Sequence, residues 1–355
     1  MDKEKEAIAL MSLKRVAFIV ASFVMVIVLV GISITIGSSG ITPLEAYESI
    51  IRYIFPGMYS ELPQKTVDIV MIIRAPRVLM AVFGGAALAL GGCITQSLLK
   101  NPLATPYTLG VSSGAGFGAA LVILFGFGLT GTFIDAVVSA FLFSLIPICV
   151  VILASRRTNM TPMTIILCGV AMSYVFSACN TIFQFFGEAS AVKSVVFWMV
   201  GDLNDILLWN IPYVAIPFVL IFLTVMFLSK DFNVMRMGDD TATSLGVNVR
   251  MMRTTGLLLA CLMTAIVVSF TGCIGFVCLL APQISRIFVG NDMKYLVPAS
   301  VCLGACLLSV ADIVAKTIYA PIMLPVGAVT ALVGGPVLVL LLLRSAKNRG
   351  SVNHD

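Results

Sequence analysis

The sequence predicts an all-α integral membrane protein with ten transmembrane helices and both termini in the cytoplasm. Three observations carry this expectation. Hydrophobic residues make up 59% of the chain and charged residues only 11%, where a soluble domain carries roughly a quarter charged residues. The 355 residues fall into a succession of uncharged runs, most of them near the about 20 residues that a helix needs to cross a hydrocarbon core about 30 Å thick. Basic residues gather at the ends of those runs and near both termini. In lipid the backbone must satisfy its own hydrogen bonds, and at this hydrophobicity helices are the spanning form that does so.

The elements follow in order. The charged start, MDKEKEAIALMSLKR, precedes an uncharged run at 16–37. That run is too long for a signal-peptide core and lacks a small-residue cleavage site, so it is expected to be a retained first span. An external connection over about 38–75 carries PLEAYESIIRYIFPGMYSELPQK, with a short helix expected around Leu44–Ile54. Spans are then expected at 78–99, 108–134, 136–155, 158–187 and 206–229. The polar stretch 230–253 has helix-start residues Asp239, Asp240, Thr241 and Thr243 between breaks at Gly238 and Gly246. It predicts one or two short helices along the inner membrane surface. The uncharged run 254–285 is too long for one span. Gly272, Gly275 and Pro282 divide it into a hairpin, with spans at 254–271 and 273–290. The last two spans are expected at 295–315 and 320–343, and the whole chain forms a single transmembrane domain.

Charge sets the orientation. Lys3, Lys5, Lys14 and Arg15 at one end and Arg344, Lys347 and Arg349 at the other place both ends in the cytoplasm, which requires an even number of spans. Of the 22 Lys and Arg residues, only Arg52, Lys65, Arg74, Arg77, Lys193 and Lys316 then lie outside. The net charge of +5 is thus spread over span boundaries, and it does not point to nucleic acid.

Composition also excludes functions. The nine cysteines all sit in apolar runs and read as small buried hydrophobes. His354 is the single histidine, which removes a histidine-based metal or catalytic site within the membrane. No G-x-x-x-x-G-K-[ST] loop occurs anywhere, so if ATP drives this protein another polypeptide binds it. No extramembrane stretch is long enough for a catalytic domain.

The most informative stretch is RAPRVLMAVFGGAALALGGCITQSLLKNPLATPYTLGVSSGAG, from Arg74. Gly84, Gly85, Gly91 and Gly92 share a helix, and small residues let helices approach closely in lipid. Packing accounts for them, and lining a translocation path is compatible with it. Gln96 near the cytoplasmic end, and Ser112 and Ser113 at the start of the next span, are further path candidates. Trp198 and Tyr213 read as interfacial aromatics.

This run resembles the hallmark of the FecCD-type permease family, the membrane subunits of importers for iron–siderophores, haem and vitamin B12. The resemblance continues through SLGVNVR, GCIGFVCLLAPQISRIFVG, YLVPAS, ADIVAK and MLPVGAVTALVGGPVLVLLL. It implies a type II ABC importer permease architecture in a bacterial inner membrane. It also implies a homodimer or pseudo-dimer, two ATP-binding subunits that carry the ATP and magnesium, and an extracytoplasmic substrate-binding protein. This chain itself would bind no cofactor and catalyse no reaction.

By the same resemblance Arg74, Arg77 and Lys316 form an external docking set for the binding protein. Lysine at 316 lacks the planar fork of arginine, and an ion pair with Asp312 four residues earlier is an alternative role. Gly238, Asp239, Ala242, Leu245, Gly246 and Val247 match the segment that couples to the ATPase, and Asp202 and Asp205 belong to an outer vestibule. Where relatives have Pro-His, this chain has Pro282-Gln283, which cannot titrate near neutral pH. The implied cargo is an iron–siderophore chelate, with corrinoid or haem as alternatives. An ion-coupled secondary transporter is the competing class, and it would need ionisable residues in mid-span. An intramembrane enzyme would need a base near Ser112 or Ser113, and none lies within helical reach.

Overall fold

The computed structural model describes residues 2–37, 39–58, 61–130, 133–156 and 161–352; His354 lies outside them. They form fifteen α-helices and no strand. Helix α1 (Asp2–Thr35) is followed by a short helix α2 (Pro43–Ile54) and by α3 (Gln64–Asp68), which runs through a wide π-helical turn at Ile69–Arg74 into α4 (Ala75–Leu98). Then come α5 (Val111–Phe125), α6 (Phe133–Arg156), α7 (Pro162–Phe186), α8 (Ala189–Val200) and α9 (Ile211–Phe227). Two short helices, α10 (Ser229–Arg236) and α11 (Asp239–Ser244), precede α12 (Val249–Thr271), α13 (Val277–Val289), α14 (Met293–Thr317) and α15 (Val326–Val352). Seven of these stretches are long and apolar enough to cross a membrane: those built on α1, α3–α4, α6, α7, α9, α12 and α14. Shorter apolar helices are α5, α8, α13 and the apolar part of α15.

Helix α4 is the axis of the bundle. Nearly every residue from Ala75 to Leu98 is buried, because α14, α12, α13 and α9 all pack against it. Its glycines explain how so many neighbours fit. Gly85 faces Gly304 of α14 so closely that a Cβ on either would meet the other's carbonyl oxygen. At Gly92 a Cβ would fall onto the carbonyl oxygen of Cys278 in α13. Backbone cannot retreat as a flexible side chain can, and overpacking a filled core typically costs about 1–3 kcal/mol or more. Gly92→Ala is therefore expected to cost about 3 kcal/mol or more, read as a lowered melting temperature of the purified chain. Gly84→Ala should be far milder, because its nearest neighbour is the Val267 side chain at ordinary contact distance, 3.5 Å.

Three of the differences from the expected boundaries have a visible physical cause. The helix ending in α4 begins at Gln64, inside the stretch read as a connection. Its one carboxylate before the π-turn has a partner within the helix: Gln64 Nε2 donates to Asp68 Oδ1 at 2.9 Å. Pro76 follows the π-turn, and a proline ring clashes with the carbonyl four residues before it, which a widened turn relieves. Helix α5 stops at Phe125 rather than near 134, because Gly126 takes φ +66°, a conformation that ends helices. Helix α15 starts at Val326, after prolines 321 and 325 interrupt the apolar run.

α2 begins one residue early, capped by Thr42, whose N–H donates to Glu45 Oε2 at 2.7 Å. The run 254–285 breaks at Gly272, φ +67°, where a Cβ would meet the Trp198 carbonyl at the end of α8.

Candidate functional site

Two polar clusters lie at opposite ends of α4. At the N-terminal end, side chains of α1, α4 and α14 converge on Asp312 of α14, whose side chain is fully buried. Arg77 Nε of α4 donates to Asp312 Oδ1 at 2.5 Å. Lys316 Nζ, one turn on, sits 2.6 Å from Oδ2 and also donates to Ser33 Oγ of α1 at 3.1 Å. Ser33 Oγ donates in turn to Asp312 Oδ2 at 3.4 Å. The other side of Arg77 reaches the loop after α8, where Nη1 donates to Asn204 Oδ1 and lies 3.9 Å from Asp202. Burial pushes the Asp202 carboxyl above the usual aspartate range, against the pull of Arg77. Arg74 faces α1, donating to the carbonyls of Ile34 and Thr35 at 3.0 Å each and to Ser39 Oγ at 2.7 Å.

These contacts involve all three residues of the expected docking set. Arg74, Arg77 and Lys316 are 4%, 2% and 7% exposed, so in this conformation none offers its charge to a partner. The reason is Asp312. A carboxylate buried in lipid-embedded protein needs counter-charges, and Arg77 and Lys316 supply them. The ion pair between Asp312 and Lys316, an alternative role in the sequence, is present, but as one edge of a larger network. Beside it opens a cavity of about 680 Å³ lined by Lys193, Trp198, Asp202, Asp205, Phe270 and Thr271 among others, which places both aspartates in one recess.

At the C-terminal end of α4, Asp239 opens α11 just after Gly238, φ +131°. Its carboxylate accepts from Arg253 Nη2 of α12 at 2.9 Å on both oxygens and from Lys100 Nζ, just beyond α4, at 3.0 Å. Burial pushes this carboxyl up, but the hydrogen bonds from Arg253 and Lys100 outweigh it and hold it below the usual aspartate range. Ala242 is buried and Leu245 is 62% exposed. The turn closes where Val247 N–H donates to Ala242 O at 2.9 Å, around Gly246 at φ +86°. The six residues matched to a coupling segment thus form one compact turn that presents Leu245 outward. Sequence reasoning missed the partners of Asp239. Arg253 is nearly fully buried, and a buried arginine inside an apolar helix was the available sign of a paired carboxylate.

The path candidates divide. Gly84 and Gly92 are packing positions within the bundle, where α12, α13 and α14 fill the space their missing side chains leave. Ser112 and Ser113 contribute backbone, their carbonyls accepting from Cys273 Sγ and Asn180 Nδ2 at 3.8 and 3.5 Å. Gln96, 3% exposed, faces a polar cavity of about 530 Å³ between α4, α10, α13 and α15. Gln283 lines the same cavity, with Nε2 donating to Pro102 O at 2.7 Å.

Long apolar helices around a glycine-lined axis, with a polar recess at each end, define a multi-pass membrane permease. The sequence matches the FecCD transport family over residues 25–344, and the chain belongs to that family. It is 35% identical over 280 residues to the hemin transport system permease protein HmuU of Yersinia pestis, covering 78% of this chain and 84% of that one. It is 34% identical over 278 residues to the vitamin B12 import system permease protein BtuC of Salmonella typhi, covering 78% and 83%. A solved structure described as an inward-facing ABC transporter of metal-chelate type superposes with a TM-score of 0.80 at 27% identity, over 92% of this chain and 98% of that one.

Proposed function

We propose that this chain is the membrane-spanning subunit of an ABC importer for a metal chelate, of iron–siderophore type foremost, with corrinoid or haem as alternative cargo. Two permease subunits enclose the path and two ATP-binding subunits, holding ATP and magnesium, dock at the cytoplasmic face. A substrate-binding protein delivers the cargo from outside. The observation that carries the reading is the turn at Gly238–Val247, which presents an exposed leucine while its first carboxylate is fastened to α4 and α12. A stiff element joined to two packed helices can carry a partner's closure into the bundle, and the sequence contains no phosphate loop of its own. Adding α5, α13 and α15 to the seven long spans gives ten crossings with both ends in the cytoplasm, leaving α8 as a short external helix.

The test is uptake of labelled ferric siderophore, cobalamin and haem into proteoliposomes. Uptake is expected only when ATPase subunits, ATP and binding protein are all present, and for one of the three cargoes far above the others. Transport by the chain alone, driven by an ion gradient, would overturn the reading. Asp312 is the buried carboxylate such an ion-coupled carrier would use, yet both its oxygens are already held by cations.

A further inference from the structure

The cavity at the cytoplasmic end of α4 has an unbalanced charge. Lys100, Arg236 and Arg286 line it, together with Gln96, Gln283 and Asn291. Lys100 is paired with Asp239. The two arginines have no carboxylate within 4.0 Å among the described residues. Arg286 Nη1 donates to Gln96 Oε1 at 2.5 Å, and Arg236 Nη1 donates to the Asn291 carbonyl. Asp292 stands nearby and favours the charged form of Arg236, but its carboxylate is taken by Asn233 Nδ2 at 2.8 Å and by the Lys294 N–H at 3.1 Å. Each guanidinium has five N–H donors and uses one of them on a neutral oxygen. Half-buried charge at the edge of an apolar bundle is costly without a counter-charge. Burial pulls the Arg236 pKa below the usual arginine range, and an anion in the cavity would relieve that cost.

The amides fix the geometry rather than supply a charge. Gln96 Nε2 is spent on the carbonyls of Cys278 and Leu279 at 3.4 Å each, which aims Oε1 at Arg286. Leu338 and Leu341 of α15 form the apolar side. A space of about 530 Å³ holds a small carboxylate or phosphate group, and two forked donors match such groups bidentately.

We infer that this cavity is an oxyanion seat, in which Arg236 and Arg286 hold a carboxylate or phosphate group at the cytoplasmic mouth. That chemistry has two sources, a soluble anionic molecule and an anionic lipid headgroup. Its use as an exit station for an anionic chelate rests on the proposed transport function, but the seat itself rests on the cavity. Its test therefore needs no ATPase, and a failure of transport would not be confused with a failure of the seat.

The full chain is placed in nanodiscs of phosphatidylcholine, and its melting temperature is followed with citrate or inorganic phosphate against chloride at matched ionic strength. In parallel, native mass spectrometry compares retention of phosphatidylglycerol and phosphatidylcholine. A citrate- or phosphate-dependent rise in melting temperature assigns a soluble anion. Preferential retention of phosphatidylglycerol assigns a headgroup. Either response should weaken by roughly tenfold or more in Arg286→Gln and in Arg236→Gln, as the loss of charge-assisted hydrogen bonds implies. Arg286→Lys keeps the charge without the fork and should fall between; it also serves if the glutamine variants fold poorly. Lys65→Gln, at the far end of the chain's long helix, should respond as the unaltered protein does. The inference is overturned if neither anions nor phosphatidylglycerol bind preferentially, or if the arginine variants respond as the unaltered chain does.

Discussion

Asp312→Asn lowers the stability of the chain by roughly 3–5 kcal/mol, the cost of breaking a buried ion pair from one side. The position is severe because one carboxylate serves two cations. Lys316 would remain buried with only neutral partners and Arg77 with only the looser contact to Asp202 at 3.9 Å, and Arg77 Nη2 already lacks any hydrogen-bond partner. The network joins α1 through Ser33, α4 through Arg77, α14 through Asp312 and Lys316, and the loop after α8 through Asn204. Its loss should therefore loosen this end of the bundle as a unit. The check is thermal unfolding in nanodiscs, where the melting temperature should fall by at least about 5 °C. A control separates lost charge balance from lost shape. When Arg77→Met and Lys316→Met accompany Asp312→Leu, no charge of the central triad is left uncompensated, and such apolar replacement of a buried ionic cluster is often neutral or stabilising. The triple variant should recover most of the loss. If Asp312→Asn melts with the unaltered chain, the cluster does not hold this end together.

That network also marks where reading the sequence stops. The apolar runs were legible because hydropathy is a local property. The break at Gly272 was legible because a glycine inside a long apolar run signals a backbone change, and φ +67° is what the chain adopts there. The start of the helix at Gln64 was not, because Lys65, Asp68 and Arg74 look like the edge of a loop. They are tolerated in a helix because Arg74 turns onto the free carbonyls at the end of α1. Arg77 was read as facing outward for a similar reason. Its counter-charge is 235 residues away in sequence, and nothing local to RAPR reveals it. Gly92 was identified as a close-packing residue correctly, but the helix it admits, α13, could be named only from the fold. Asp239 was recognised as a helix start, which it is. The direction of its carboxylate, away from its own helix and onto Arg253 and Lys100, depends on a tertiary arrangement that no short window encodes.

Asp239→Asn should leave the fold intact and uncouple it. The ten proposed spans do not depend on this carboxylate, which is 41% exposed and partly screened by solvent, so its direct contribution to stability should stay near the about 1 kcal/mol of exposed ion pairs. Its mechanical role follows from its position. It is the one side chain of α11 bonded to both α4's end and α12 among the described residues, and loss of bonds worth about 1 kcal/mol would shift a two-state element by roughly fivefold. With the ATPase subunits present, ATP hydrolysis should continue while substrate moved per ATP falls by about that factor. Asp239→Glu, which keeps the charge, should recover part of it, a rescue that a merely structural role would not require. The pH dependence has a definite sign. The folded-state pKa is depressed, so the tether is at full strength above the ordinary aspartate value of about 3.9 and is lost only as pH falls through the lower folded-state value. Across the physiological range it does not titrate. Any release of this joint must then come from force at the exposed Leu245 face rather than from protons, and wild-type transport per ATP in Asp239→Asn would show that the force takes another route.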